Sequence, residues 1–393
     1  MKTIDALISV PAALWLAVAA PGAHPAAVRC SRADVLVALA PGEPARYGVA
    51  GELCGTTQEL RDGASAQLLV HGATYSHDYW DFGEVHETRY SYVRAVAEHG
   101  MATFTYDGIG AGSSSHPPSD LVTLDAAAYV SHQLVKALRG GTLSGVRFGK
   151  VIAVGHALGS IIVWQEAARY ADVDGVVVTG AAHSLSLRFS DAVASIFQPA
   201  VSDPRFATSG LDRGYLTTVP GVRAGLFSET FLAEEEQHKD VVPATELVSA
   251  LPLVSSQITR AIRVPVLAIL GSNDVTTCGA NTRGATFDCS SAAAVAAQEA
   301  AFYAPQAQLH ACLIAGAGQD LNLTLNHELQ VADIVAWSTR FVNARLKHEA
   351  GATAVDARAA DAPRSGVVGN DGLPANCSAV ALQRLASPIT SRR

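Results

Sequence analysis

Charge is scarce in this chain. Only 16% of its 393 residues are charged, and the acidic ones outnumber the basic ones, 36 to 28. A net charge of −8, with no basic cluster beyond the short tail at 390–393, excludes a surface built for phosphate backbones, and no nucleic-acid partner is expected. No Cys-x-x-Cys and no His-x-x-x-His spacing occurs, so no metal centre is expected. No apolar run reaches the roughly 20 residues that a membrane-spanning helix needs. The best candidate, residues 6–20, is broken by Pro11, which argues against a stable membrane anchor. The glycine-rich turn at 108–112 lacks the Gly-x-Gly-x-x-Gly spacing, and no helix follows at once, so it reads as a loop and no cofactor is expected.

A hydrophobic content of 49% over this length suffices for one large α/β core with an inserted cap, or for two ordinary domains; the first is preferred here. The start MKTIDALISVPAALWLAVAAPGAHPAA places a lysine before an apolar run and then small residues, as in a secretory signal peptide over 1–27. In an exported chain, the six cysteines Cys30, Cys54, Cys278, Cys289, Cys312 and Cys377 suit disulfides, although six allow fifteen connectivities. Cys278 and Cys289 flank a Gly/Asn/Thr loop and form the first expected pair; Cys30 with Cys54 is the second. Asn322-Leu323-Thr324 and Asn376-Cys377-Ser378 match the N-glycosylation pattern.

Short apolar runs at 51–54, 66–70, 101–106, 150–154, 176–178, 264–270 and 308–314 predict strands. A weak helical pattern at 90–99 and a strong one at 124–138, stopped by Gly140-Gly141, predict helices between them, as does the final stretch 325–346. Strands alternating with helices indicate an α/β fold with a mostly parallel sheet covered on both faces. Residues 181–262 break this rhythm with Pro204, Pro220, Pro243 and Pro252 and read as an inserted, mainly helical cap. The core is thus assigned to 28–180 and 263–346, and a disordered tail to 347–393.

The stretch VIAVGHALGS at 151–160 is a buried strand breaking into Gly-x-x-x-Gly and a helix, the build of a nucleophile elbow. Its central residue is Ala157, not serine. A methyl group cannot attack a carbonyl, so no acyl-enzyme forms there.

The segments VHGATYSHDYWDF, YDGIGAGSSSHP, DPRFA, LDRGYLTTVPGVR, GSNDVTTC and GAGQDLNL, in this order, resemble the α/β-hydrolase superfamily, and more narrowly its secreted, capped, fungal-type members. The resemblance covers roughly 51–346. It implies a serine at position 157, an acid at Asp274 and a histidine within GAGQDLNL, where Gln319 stands instead. A carboxamide neither takes nor returns a proton near neutral pH. One such exchange is compatible with an engineered substrate trap; two together argue for natural loss. The resemblance further implies an oxyanion hole of backbone N–H groups, from Leu158 and from Ala73 or Thr74, which does not depend on side-chain identity.

Among other polar residues, His183 and Tyr75 are the pocket candidates, with His77, Tyr79 and Trp80 as further wall residues. His71 and His156 are expected to pack beside their turns, and His327 sits on the last helix as a poor substitute base. Three readings follow. The first is a repurposed isomerase, lyase or cyclase acting on a small hydrophobic carbonyl compound such as a secondary metabolite. The second is a ligand-binding pseudoenzyme, and the third is an esterase or lactone hydrolase inactivated by engineering.

Overall fold

The computed structural model describes residues 27–85, 87–222, 232–343 and 373–379. The expected signal peptide therefore lies outside the described residues, apart from Ala27.

Nine strands form one sheet: β1 (Val28–Arg32), β2 (Gly51–Thr56), β3 (Ser65–Val70), β4 (Ala102–Tyr106), β5 (Lys150–His156), β6 (Gly175–Thr179), β7 (Val266–Gly271), β8 (His310–Ile314) and β9 (Cys377–Ala379). Their order is β1-β2-β4-β3-β5-β6-β7-β8-β9. The six from β4 to β8 in that order run parallel; β2 runs against them, the edge strand β1 pairs antiparallel with β2, and the edge strand β9 pairs antiparallel with β8.

The central strands read as unbroken apolar runs because both of their faces are covered. Val151, Ala153, Val176, Val178, Val266 and Ala268 enter the core beneath α2 (Leu124–Gly140) and α3 (Leu158–Tyr170). Their alternates Ile152, Val154, Val177, Leu267 and Ile269 pack on the opposite side, with α1 (Tyr92–Glu98) and α8 (His327–Trp337). A slip of one residue in any of these strands would exchange the two sets, so the register is fixed by packing on both sides.

Among its described residues, the stretch 181–262 contains α4 (Leu187–Ile196), α5 (Leu232–His238), α6 (Ala244–Ala250) and three 3-10 segments. It also holds three short strands, Phe197–Pro199, Tyr215–Thr218 and Val242–Pro243, that the proline-rich sequence did not suggest. Helix α7 (Ala292–Glu299) lies between β7 and β8.

Cys30–Cys54 and Cys278–Cys289 are bonded as expected, and Cys312–Cys377 completes the set. That third bridge corrects the assignment of disorder from 347 onward, at least for 373–379. There Cys377 is tied to β8, the strand β9 pairs along it, and Leu373 is fully buried. Covalent attachment and edge pairing order a segment whose composition has little to pack. The other tail residues lie outside the described set.

Candidate active site

The carboxyl ends of β3, β5, β6, β7 and β8 meet beneath the insertion. After β5 the chain turns through Ala157 directly into α3, with Ala157 at φ 49°, ψ −113°. This backbone region costs a residue bearing a Cβ about 1–3 kcal/mol and persists only where its surroundings impose it. Ala157 N–H donates to Thr179 O at 2.9 Å, and Ser160 N–H donates to Ala157 O at 3.0 Å. A Cβ on Gly155 would lie 2.4 Å from Gly159 O, and one on Gly159 would lie 2.2 Å from Val70 O. Only glycine fits at either position, so the tight elbow is present in full with an alanine at its apex.

The turn after β3 abuts this elbow: a Cβ on Gly72 would lie 3.2 Å from the Cβ of Ala157. Thr74 in that turn adopts φ 58°, and its hydroxyl donates to Ala73 O at 2.6 Å. Among the described residues, the N–H groups of Ala73 and Leu158 have no hydrogen-bond partner. Both residues, with Thr74 and Ala157, line one cavity of about 110 Å³, the space open to the centre of a water molecule. The insertion roofs it with Leu185, Phe189, Phe197, Leu247, Leu251 and Val254. An apolar chamber with a few polar groups at one end is the usual form of a site for a small hydrophobic molecule.

Those polar groups sit on the ends of β5, β7 and β8. Gln319 lines the cavity, and its amide donates to Gly180 O at 3.3 Å. Asp274 is fully buried behind Thr276 and Thr277, which do line the cavity. Its Oδ1 accepts the Thr276 N–H at 2.8 Å and the Thr276 hydroxyl at 2.6 Å, while Oδ2 has no partner. Burial pushes its pKa up to about 6, opposed by the Thr276 hydrogen bonds and reinforced by the nearby Asp320.

Asp320 and His156 both line the cavity and are linked, with 3.0 Å between Asp320 Oδ1 and His156 Nε2. The imidazole stacks on Tyr79 at 4.1 Å, and its Nδ1 lies 3.3 Å from Thr179 Oγ1. The Thr179 hydroxyl proton is committed to Gly155 O at 3.0 Å, so Nδ1 must donate to it. Among the described residues, Asp320 Oδ2 has no hydrogen-bond partner.

The sequence matches the model of the Alpha/beta hydrolase family over residues 67–334. The chain belongs to the α/β-hydrolase family. Its structure is similar to a monoglyceride lipase from Saccharomyces cerevisiae (TM-score 0.55, 13% identity, covering 78% of this chain and 96% of that one). A thermophilic esterase from Thermogutta terrifontis (TM-score 0.51, 18% identity, 80% and 99%) and an α/β-hydrolase fold protein from Chitinophaga pinensis (TM-score 0.50, 16% identity, 79% and 98%) are similar as well. At these identities the likeness establishes the fold alone. No curated protein matches the sequence.

Several residues of this α/β-hydrolase stand elsewhere than its sequence suggested. His183, expected at the pocket wall, is fully buried, because its ring is sandwiched between Trp164 and Phe302 at 4.2 and 4.1 Å and its Nδ1 meets Glu299 Oε2 at 2.7 Å. Tyr75 does line the cavity. Tyr79 and Trp80 are core residues, and His77 is a partly exposed partner of Asp107 at 2.6 Å. That hydrogen bond holds the His77 pKa up at about 9. His71 is structural: its Nδ1 meets Gly72 O at 2.8 Å and its Nε2 accepts the Gly108 N–H at 2.9 Å. His327 packs on Tyr90 and does not line the cavity. Asn322 of the first glycosylation pattern is buried and bonded to Tyr79 O and Gln330, which closes it to modification in the folded chain.

Asp320 is a site residue that no local pattern marks. Its one cue is an acidic side chain beside Gln319 at the exit of a buried strand, and its partner lies 164 residues away.

Proposed function

We propose that this α/β-hydrolase is a secreted, non-hydrolytic enzyme of the isomerase, lyase or cyclase type, acting on a small hydrophobic carbonyl compound. Ala157 takes the place of the nucleophile and offers no oxygen, and Gln319 takes the place of the general base without titrating. Ser160 is no substitute, since its buried hydroxyl is committed to Thr179 O at 3.0 Å. Three disulfides and no free cysteine fit an oxidising compartment.

The observation that carries the reading is Asp320, a carboxylate on the cavity wall with one oxygen held by His156 and the other unpaired. In the proposed step the substrate carbonyl oxygen accepts the Ala73 and Leu158 N–H groups. Asp320, turning its buried Oδ2 toward the substrate by side-chain rotation, removes the proton from the adjacent carbon, and the C–H electron pair moves into the carbonyl to give an enolate. Returning the proton to another carbon completes an isomerisation; expelling a leaving group completes an elimination. One preorganised donor of this kind is typically worth about 3–4 kcal/mol in activation energy. The contact with His156 Nε2 keeps Asp320 oriented.

The test is hydrogen–deuterium exchange, followed by NMR in D2O, at the carbon next to the carbonyl across a panel of apolar ketones and lactones. Wild-type protein should exchange at least one of them, and Asp320→Asn should slow that exchange by about 100-fold or more. Ligand retention without exchange would overturn catalysis and leave a binding protein.

A further inference from the structure

Outside the cavity, α2 and the C-terminal end of α3 bring together His132, Glu166 and Asp172, whose donor atoms all lie within 4.8 Å of one another. Glu166 is 1% exposed, and among the described residues neither of its oxygens accepts a hydrogen bond from a donor group; its neighbour is the Asp172 carboxyl. Oδ1 of Asp172 likewise accepts from no donor group, while its Oδ2 lies 2.6 Å from His132 Nδ1. The nearest cation does not resolve this. Arg139 donates to Asp172 O at 2.9 and 2.7 Å, to Gly149 O at 3.2 Å and to Asp174 Oδ2 at 2.5 Å, and so has no donor bonded to Glu166. A buried carboxyl without a donor is costly, and without an ion Glu166 is accommodated by keeping a proton that it shares with the adjoining Asp172 carboxylate.

We propose that His132, Glu166 and Asp172 bind a divalent transition-metal ion, Zn²⁺ foremost, with a fourth position left to water. One imidazole and two carboxylates are a donor set for such an ion, whereas Ca²⁺ takes six to eight oxygens. Metal–donor distances of about 2.0–2.2 Å place tetrahedral ligands roughly 3.3–3.6 Å apart. The trio therefore needs only to open its 2.6 Å contact and draw in its widest one. The His132 ring is already held in plane by stacking on Tyr170 at 4.1 Å. His132 and Asp172 side chains are 19% and 20% exposed, which leaves a route from solvent to the inner Glu166. Asp172 directly follows the C-cap of α3, Ala171, where a cation also meets the negative end of the helix dipole.

The linear sequence hid this group because its donors come from two helices and a turn, with no local ligand spacing. Without an ion, burial and the adjoining Asp172 hold the Glu166 carboxyl well above its ordinary range, so binding should release a proton.

The full chain, dialysed against EDTA, should be titrated with ZnCl2 and CoCl2 by calorimetry in two buffers of different ionisation enthalpy, and by the visible Co²⁺ spectrum. One ion per chain is expected, with proton release. Both His132→Asn and Glu166→Gln should weaken binding by about 100-fold or more, with the cavity chemistry unchanged. No binding, or binding that survives in both variants, overturns the site. Should either variant fail to fold, anomalous diffraction at the zinc edge from wild-type crystals decides: a peak among these three side chains supports the site, and a peak elsewhere or none overturns it.

Discussion

His156 and His183 are built alike and end differently. Each ring stacks on aromatic neighbours, and each gives one N–H to a threonine whose own hydroxyl proton goes to a backbone carbonyl: Thr179 to Gly155 O, Thr259 to Phe302 O. Each meets a buried carboxylate with its second nitrogen. The difference lies in the carboxylates. Glu299 spends both oxygens on His183, one on the backbone N–H at 2.9 Å and one on Nδ1 at 2.7 Å, so the pair is closed. Asp320 spends one, and its second oxygen has no partner in a residue that borders the cavity. A histidine–carboxylate pair thus becomes a candidate for chemistry through its unspent oxygen and its place on the wall, not through its residue types.

The comparison breaks most directly by mutating the two carboxylates. Asp320→Asn should abolish deuterium exchange while leaving the chain folded. Glu299→Gln removes one member of a closed buried pair and should cost about 3–5 kcal/mol of stability, with exchange per folded molecule little changed. Urea unfolding and NMR exchange on both variants check this. Loss of exchange in Glu299→Gln at full folding would place His183, and not His156, in the reaction.

The same distinction explains what was legible in the sequence. The strands, α2 and the tight turn at Ala157 were readable because two-sided burial and Gly-x-x-x-Gly leave local marks: Val151–Val154 can hardly be anything but a central strand. Ala157 and Gln319 stood out because the resemblance implies a serine and a histidine at those positions. His183 was misplaced because Ala182 and Ser184 do line the cavity while the residue between them turns into the core. Asp320 and Glu299 were invisible as partners because their histidines lie 164 and 116 residues away. Pairing across such separations depends on the sheet order and on no local pattern.

A third buried carboxyl extends the comparison. Glu246 on α6 lines a smaller cavity, about 30 Å³, that shares Ala73, Thr74 and Leu158 with the main one. Burial alone raises its pKa from 4.5 to about 8. Between those values the folded state binds more protons than the unfolded state, so the contribution to stability falls as pH rises. Glu246→Gln should therefore flatten the loss of stability between pH 5 and 8 by a few kcal/mol at most. Asp274 and Asp333, raised to about 6 and 7, act in the same direction and leave part of the slope in place. Urea midpoints at the two pH values test it; an unchanged slope would mean that Glu246 is ionised in its cavity.

The smallest expected effect is also the most diagnostic of how much hydrolase geometry survives. If the strained turn at Ala157 still aims its Cβ at the Ala73 and Leu158 donors, and Asp274 still stands behind position 319, then Ala157→Ser with Gln319→His should yield modest esterase activity on short acyl esters. Neither change alone should do so, since serine lacks a base and histidine lacks a nucleophile, and groups that act as one unit are strongly non-additive. The rate should rise with pH near the ordinary histidine pKa of about 6.5. In this double variant the new imidazole and the His156–Asp320 pair would face one cavity, so Asp320→Asn added as a third change separates them: it should leave ester hydrolysis standing while exchange stays lost. A folded double variant no better than its parents would mean that the backbone keeps the elbow while the groups around it have moved out of hydrolytic register.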